Sequence, residues 1–168
     1  MAGDSNFNNV VLRLPFDGPT NGVDIRDRSN TRKTITVSGN AKLSTTASKF
    51  GGSSLALDGT GDYLTIADHA DLDLGGTFTL EGWFRFSSTS DMYLFDRYNN
   101  SANKRSILCT FQTISTVKSL QFIVSPAGIS TGTVSVVAAF TPIVGQFYHI
   151  AFVNTGSKLI IFVDGTSI

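Results

Sequence analysis

Apolar and polar residues alternate strictly between Phe78 and Phe86. A period of two places successive side chains on opposite faces of a β-strand. One parity holds Phe78, Leu80, Gly82, Phe84 and Phe86, and the other holds Thr79, Glu81, Trp83 and Arg85. The pattern therefore predicts a strand with one face in a core and one face that is more open.

Short strand-like runs, separated by turn-forming residues, continue along most of the chain. Residues 10–16 alternate as a strand near a sheet edge would. Residues 34–37 and 41–43 flank Ser38-Gly39-Asn40 and predict a hairpin. Residues 54–57 and 63–66 flank the acidic, glycine-containing segment 58–62 and predict a hairpin or a tight corner. Further strands are predicted at 92–96, 106–111, 119–124, 133–139, 147–154 and 158–163, and regular short strands of this kind predict a sandwich.

The last two predicted strands are apolar on both parities. Tyr148, Ile150 and Phe152 alternate with Ala151 and Val153 in the first of them, and strand 158–163 has the same character. Strands of this type belong in the interior of a sheet. Asp164-Gly165 then forms a turn signal that should lead into a partner strand, but the sequence predicts no return strand after it. Residues beyond Ile168 or a neighbouring chain are expected to pair with strand 158–163.

Composition agrees with an all-β fold and excludes several function classes. The 168 residues include 13 Phe and 16 Gly but only 2 Met, and the net charge is zero. Aromatic residues suit pleated sheets and glycines serve turns, so no long helix is expected. A neutral chain has no global field to attract nucleic acid or a membrane. Cys109 is the single cysteine, which excludes an intrachain disulfide. It lies in the apolar run 107–111, which predicts a buried thiol.

The ordered motifs resemble those of a known fold family. LALDGTGDYLTI, the acidic loop DHADLDLG, FTLEGWFRF, GQFYHIAFV and KLIIFVDGT follow one another in the chain. In this order they resemble the laminin G-like jelly rolls of the concanavalin A-like lectin and glucanase group, which are common in bacteriophage tail and virion proteins. The resemblance implies an all-β, two-sheet antiparallel jelly-roll sandwich over residues 10–168 that lacks its last strands. Residues 1–9 are expected to form an arm or linker.

The sequence argues against catalysis. A glycosidase of this fold needs two positioned carboxylates, and the glucanase relatives carry them in a Glu-x-Asp-x-(x)-Glu pattern on one strand. Glu81 is the single glutamate here, and no acidic residue lies two to five positions from it. His69 and His149 lack metal-ligand spacing. We therefore expect no enzymatic activity and pairing of Glu81 with Arg85 or with a cation of a neighbouring strand.

Calcium is the metal that this composition would suit, because hard oxygen ligands crowd one short stretch. The candidate ligands are Asp58, Asp62, Asp68, Asp71 and Asp73, with Asp17, Asp27 and Asn30 in a second oxygen-rich loop. Asp residues in turns also cap backbone amides. Both interpretations stand at this point, and no other cofactor is expected.

Carbohydrate binding needs exposed aromatic rings beside amide and charged groups. The candidates are Trp83, Arg85, Arg97, Tyr98, Asn99 and Asn100. The alternative is that Trp83 packs under a neighbouring loop and that the loop residues have no ligand.

The expected function is a non-enzymatic structural or adhesion module of a phage-like virion, such as a tail fibre, spike or capsid decoration. Its expected partners are other virion chains, further copies of itself and host-surface glycan. Neither nucleic-acid binding nor membrane insertion is expected. The N-terminal residues have neither a basic start nor an apolar segment, so no secretory signal is predicted, and the expected location is the virion, extracellular after lysis. The alternative is a carbohydrate-binding lectin module of a bacterial surface or secreted protein.

Overall fold

The computed structural model describes residues 6–74, 76–99, 104–125 and 132–168, with residues 98, 99, 104 and 105 as backbone only. Its strands are β1 (Ile35–Ser38), β2 (Lys42–Ser44), β3 (Ser54–Ala56), β4 (Tyr63–Ile66), β5 (Phe78–Arg85), β6 (Met92–Asn99), β7 (Lys104–Ile114), β8 (Val117–Val124), β9 (Val134–Ala139), β10 (Phe147–Asn154), β11 (Leu159–Val163) and β12 (Thr166–Ser167). Two 3₁₀ turns, Phe7–Asn9 and Ala70–Leu72, are the helical elements of the described residues. The prediction of an all-β fold is confirmed. Within the described ranges, no helix has the length and apolarity that crossing a membrane requires.

The chain divides into two compact units, residues 1–73 and 74–168. In the first unit, β1 pairs with β4 and β2 pairs with β3, both antiparallel. Ile25, Ala41 and Leu43 are its buried apolar side chains. The single jelly-roll domain over residues 10–168 stays a prediction.

The second unit is a sandwich of two four-stranded antiparallel sheets, ordered β12-β11-β10-β5 and β6-β7-β8-β9. Aromatic rings from both sheets meet in its core: Phe122 contacts Phe152 with ring centroids 5.5 Å apart, and Phe84 contacts Phe95 at 6.0 Å. Cys109 is fully buried in the same core, as predicted. Strand β10 lies between β5 and β11, which confirms its predicted interior position.

The parity predicted for β5 is confirmed. Its residues alternate between half-buried and exposed from Phe78 to Arg85, and Phe86 is buried directly after the strand. The half-buried side chains of Phe78, Leu80 and Phe84 pack against the core. Glu81, Trp83 and Arg85 therefore lie on the outer face of the sheet.

The strand predicted at residues 10–16 is wrong, because this segment has no strand structure. Its backbone groups bind elsewhere. Arg13 N donates to Asp27 Oδ1 at 3.0 Å, and Arg13 O accepts from Arg28 N at 2.8 Å. The Val11 carbonyl accepts from Lys33 Nζ at 2.8 Å. These side-chain and backbone partners replace the ladder of a neighbouring strand.

The hairpin predicted around Ser38-Gly39-Asn40 is wrong, and of the two forms predicted for residues 54–66 the hairpin is not formed. Strands β1 and β2 flank the Ser38-Gly39-Asn40 turn but do not pair with each other, and neither do β3 and β4. Asn40 N donates to Asp62 Oδ1 at 2.7 Å, so a distant carboxylate holds the turn. A Cβ at Gly39 would lie 2.2 Å from that oxygen. The 58–62 segment is a corner, which was the second predicted form.

The prediction that no strand follows the Asp164-Gly165 turn is also wrong. Both turn residues have positive φ, 49° and 81°, as a two-residue hairpin turn requires. The following strand β12 pairs Thr166 with Val163 and Ser167 with Phe162. The turn geometry brings β12 into register with β11 through backbone groups. The pairing therefore forms although both residues of β12 are polar. Pairing of β11 with residues of another chain stays a prediction.

Candidate functional site

The outer face of β5 and β10 carries the residues that the sequence singled out around Trp83. The register places His149 directly opposite Trp83 and Ala151 opposite Glu81. Trp83 is 39% exposed, and its ring centroid lies 5.3 Å from that of His149, with the planes tilted by 50°. His149 Nε2 lies 3.6 Å from Glu81 Oε2. Three side chains from two strands thus form one surface patch, called the Trp83 patch below.

Two contacts hold the surroundings of the Trp83 patch in place. Asp164, in the turn after β11, accepts a hydrogen bond from the backbone N–H of His149 at 2.8 Å. Arg85 Nε donates to the Gly145 carbonyl at 2.8 Å, which fixes the guanidinium at one end of the face. Arg85 binds a backbone carbonyl, and the Glu81 carboxylate faces His149, which is a cation only when protonated. The predicted pairing of Glu81 with Arg85 or with a cation of a neighbouring strand therefore stays a prediction.

Of the other predicted carbohydrate-binding residues, those whose backbone the structure describes lie on a strand of the other sheet. Arg97 is on β6, in the opposite sheet. The backbones of Tyr98 and Asn99 continue β6, their side chains lie outside the described part of the structure, and Asn100 lies outside the described residues altogether. The structure therefore groups Trp83 and Arg85 on one sheet and places Arg97 on the other.

Two of the five acidic residues proposed as calcium ligands, Asp58 and Asp62, hold backbone amides. Asp62 accepts from Asn40 N and, at 2.9 Å, from Asp58 N. Asp58 accepts from Thr60 N at 2.7 Å, and this bond is the main reason that its pKa is below the ordinary aspartate value. Asp71 Oδ2 lies 3.0 Å from Lys33 Nζ. Asp68 and Asp73 each have an interaction partner as well. These bonds match the turn-capping interpretation of the sequence.

Among the described residues, no group of three or more His, Cys, Asp or Glu side chains could hold a metal ion. In the second oxygen-rich loop, Asp27 is 5% exposed and accepts from the backbone N–H groups of Arg13, Ser29 and Lys33. Asn30 donates its amide to Asn8. The described part of the chain thus contains no ligand group for the calcium interpretation.

Sequence comparison places the sandwich in a family. Residues 58–168, which are 111 of the 168 residues, match a laminin G family model described as the concanavalin A-like lectin/glucanases superfamily. The chain belongs to this superfamily. Searches of curated proteins and of solved structures give no match. Membership of this family establishes the fold. By its own description the family includes both sugar-binding and sugar-cleaving proteins, so the residues of the site must distinguish these two functions.

In this member of the superfamily, Glu81 is placed beside a histidine rather than a second carboxylate. Acid and nucleophile or base roles in glycoside hydrolysis need two carboxyl groups flanking one bond. The Glu81–His149 pair can donate and accept hydrogen bonds, and the indole of Trp83 offers an apolar ring for stacking. The Trp83 patch has the groups that contact a sugar and lacks the paired carboxylates that cleave one.

The local sequence pattern does not indicate that His149 belongs to the Trp83 patch. His149 lies in β10, which is predicted to be an interior strand, but its side chain is on the outer face, 29% exposed. The parity of β10 indicates this, since Tyr148, Ile150 and Phe152 are buried on the core face, while on the other face Ala151 is buried and His149 is partly exposed. Only the pairing register of β10 with β5 could place His149 opposite Trp83.

Proposed function

We propose that the protein is a non-enzymatic adhesion or structural module that contacts glycan through the Trp83 patch. The observation that carries the proposal is the exposed Trp83 ring, which contacts His149 and lies beside the Glu81–His149 pair on the outer face of the sheet. A sugar ring packs its C–H face on an aromatic ring while carboxylate and imidazole groups bind its hydroxyls. Arg85, fixed by Gly145, supplies a further donor at the edge of the face.

We further propose that this module belongs to a phage-like virion, as part of a tail fibre, spike or capsid decoration. The support is the resemblance of the ordered motifs to jelly rolls common in such particles, together with a single buried cysteine that leaves no intrachain disulfide. Other virion chains or further copies of this chain would then be its protein partners. The alternative, a lectin module of a bacterial surface or secreted protein, uses the same patch.

A glycan array tests the contact with sugar. The purified 168-residue chain is applied with calcium and with a chelator, and Trp83→Ala is compared with Tyr63→Ala, which removes another exposed ring. We expect wild type and Tyr63→Ala to retain the same glycan and Trp83→Ala to lose it. Equal binding by all three proteins would show that the Trp83 patch is not the contact surface.

Hydrolysis is tested separately with Glu81→Gln. Incubation of wild type with any polysaccharide retained on the array should release no reducing ends. Release that disappears in Glu81→Gln would contradict the non-enzymatic proposal, since it would assign Glu81 a catalytic role.

The virion role is tested by fractionating a lysate of the source organism. We expect peptides of this protein to co-sediment with intact particles in a density gradient. Recovery in the cell-surface or secreted fraction, with none in the particles, would instead favour the lectin alternative.

A further inference from the structure

The edge strands of the sandwich differ in how well they resist pairing with a strand of another chain. In the described part of the sandwich the edges are β12 and β5 in one sheet and β6 and β9 in the other. The outward backbone groups of an edge strand have no ladder partner and can bind an added strand. Charged side chains, bulges and short length normally prevent this.

Three of these edges carry such protection. Strand β12 has only two residues. Strand β5 carries Glu81 and Arg85. Strand β6 carries Asp96 and Arg97, and its register with β7 shifts at two places, so its edge is irregular as well as charged. An added strand would meet charges or a broken ladder on each of the two longer edges.

Strand β9 has none of this protection. Its six residues, VSVVAA, contain no charge, proline or glycine, and they pair with β8 through consecutive residue pairs without a register shift. Four of the six residues are exposed, including Val134 and Val137. A regular, uncharged strand of small and β-branched residues with an open edge favours the addition of another strand.

The absence of charge favours a second copy of this chain as the added strand. A two-fold pairing of identical strands brings each side chain close to its own counterpart, so any charge in the strand would repel its copy. Strand β9 has no such charge. Because β9 is the unprotected edge of the described sandwich, pairing of two copies uses both open edges and closes the assembly as a dimer.

The parity of β9 restricts the register of this pairing. Val136 and Ala138 pack towards the core, so Ser135, Val137 and Ala139 lie on the outer face. A two-fold axis between antiparallel strands is perpendicular to the sheet, which puts both cores on the same side. Core-facing residues must then lie opposite core-facing residues. Registers centred on Val136 or on Val137 meet this condition.

We propose that two copies of this chain associate through antiparallel pairing of β9 with β9. The pairing joins two four-stranded sheets into one continuous sheet. A six-residue edge is small beside the roughly 1,200–2,000 Å² of a standard interface, so the dimer is weak. Both Trp83 patches face the same direction in this dimer, which allows two-point attachment. Only this last consequence rests on the proposed function.

Sedimentation equilibrium of the full 168-residue chain, without glycan, tests the dimer. We expect a monomer–dimer equilibrium with a dissociation constant of roughly 10–100 μM, measured at concentrations up to about 500 μM. Amide hydrogen exchange then locates the contact. Exchange of the β9 amides should slow as the protein concentration rises, whereas exchange of the β6 amides should not change.

Charges placed on β9 test the two-fold pairing directly. Val137→Lys and Val137→Glu, at an exposed position, each bring like charges together and should raise the dissociation constant at least about tenfold. An equimolar mixture of the two variants should dimerise again, because opposite charges then meet. Tyr93→Lys, an exposed position on β6, is the control and should dimerise like wild type. Ser135→Lys repeats the test at a second exposed position.

Three results would overturn the proposal. They are a wild-type chain that stays monomeric at the highest concentration, assembly that continues beyond the dimer, and dimerisation that neither Val137→Lys nor Ser135→Lys weakens. The glycan array on Trp83→Ala is a separate measurement, so failure of the β9 dimer leaves the Trp83 patch standing.

Discussion

Lys33 Nζ donates a hydrogen bond to Asp71 Oδ2 at 3.0 Å, and the lysine side chain is only 4% exposed. The same ammonium donates to the Val11 carbonyl at 2.8 Å and to Thr31 Oγ1 at 2.5 Å. All three of its N–H groups therefore have oxygen partners. The Lys33 ammonium thus links the N-terminal segment to the 3₁₀ turn at Ala70–Leu72 and supplies a buried positive charge there.

Lys33→Met should destabilise the first unit. The substitution keeps the apolar stem but removes the ammonium donor from the Asp71 carboxylate and one of the three donors to the Val11 carbonyl. The expected cost is about 1–3 kcal/mol. Amide hydrogen exchange of β1–β4 measures the loss, because the single tryptophan reports on the other unit. Lys42→Met, at an exposed position, is the control. Equal exchange in both variants would mean that the buried ammonium contributes nothing.

Asp27 should make the first unit sensitive to acid. Burial by itself would raise the pKa of Asp27, but hydrogen bonds from Arg13, Ser29 and Lys33 outweigh it and hold the pKa below the ordinary value. The stabilisation is therefore full above the unfolded pKa, about 3.9, and is lost as pH falls through the folded pKa. Asp27→Asn should remove this pH dependence and cost about 1–3 kcal/mol at neutral pH.

Hydrogen exchange of β1–β4 between pH 7 and pH 3 follows the Asp27 effect. Asp24→Asn is the control, because Asp24 forms an exposed pair with Arg26, and such pairs contribute little. Acid sensitivity that persists unchanged in Asp27→Asn would assign it to other carboxylates.

Phe152→Ala should destabilise the sandwich by about 3–5 kcal/mol. Phe152 is fully buried and its ring contacts those of Phe95 and Phe122 in the opposite sheet. Urea unfolding followed by Trp83 fluorescence gives the free energy. Tyr93→Ala removes an exposed ring of the same unit and should shift the midpoint little. Similar midpoints for both variants would contradict the assigned core.

Cys109 should be inert while the protein is folded. Its side chain has no exposed surface, and burial raises the pKa of the Cys109 thiol, so the reactive thiolate is suppressed. Labelling with a thiol reagent in native buffer should be slow even at pH 9 and should accelerate in urea together with the loss of Trp83 signal. Fast labelling in native buffer would show that β7 opens locally.

Chelation of calcium should leave the melting temperature unchanged. The carboxylates of Asp27, Asp62 and Asp71 already bind donors of the protein, and a ligand that binds only the folded state would raise its stability. Scanning calorimetry with calcium and with chelator measures this. A higher melting temperature with calcium would establish a metal site outside the groups described.

Local patterns in the sequence correctly predicted the buried and exposed faces of strands in the second unit. The alternation in β5 specified which side chains face the core, and the doubly apolar run of β10 specified an interior strand, because a period of two and continuous hydrophobicity are properties of a single strand. The buried state of Cys109 followed from the apolar run around it. The site residues Trp83 and Arg85 were likewise placed on the outer face by parity alone.

Pairing between distant segments was decided only by the tertiary structure. Residues 10–16 have a strand-like pattern, yet Asp27 and Lys33 bind their backbone groups. The turn at Gly39 joins two strands that pair elsewhere. His149 meets Trp83, and Thr110 meets Tyr93 and Gln121, only through registers between strands. A sequence pattern specifies which face of a strand is apolar, but the neighbour opposite each residue depends on long-range hydrogen bonding that no local window contains.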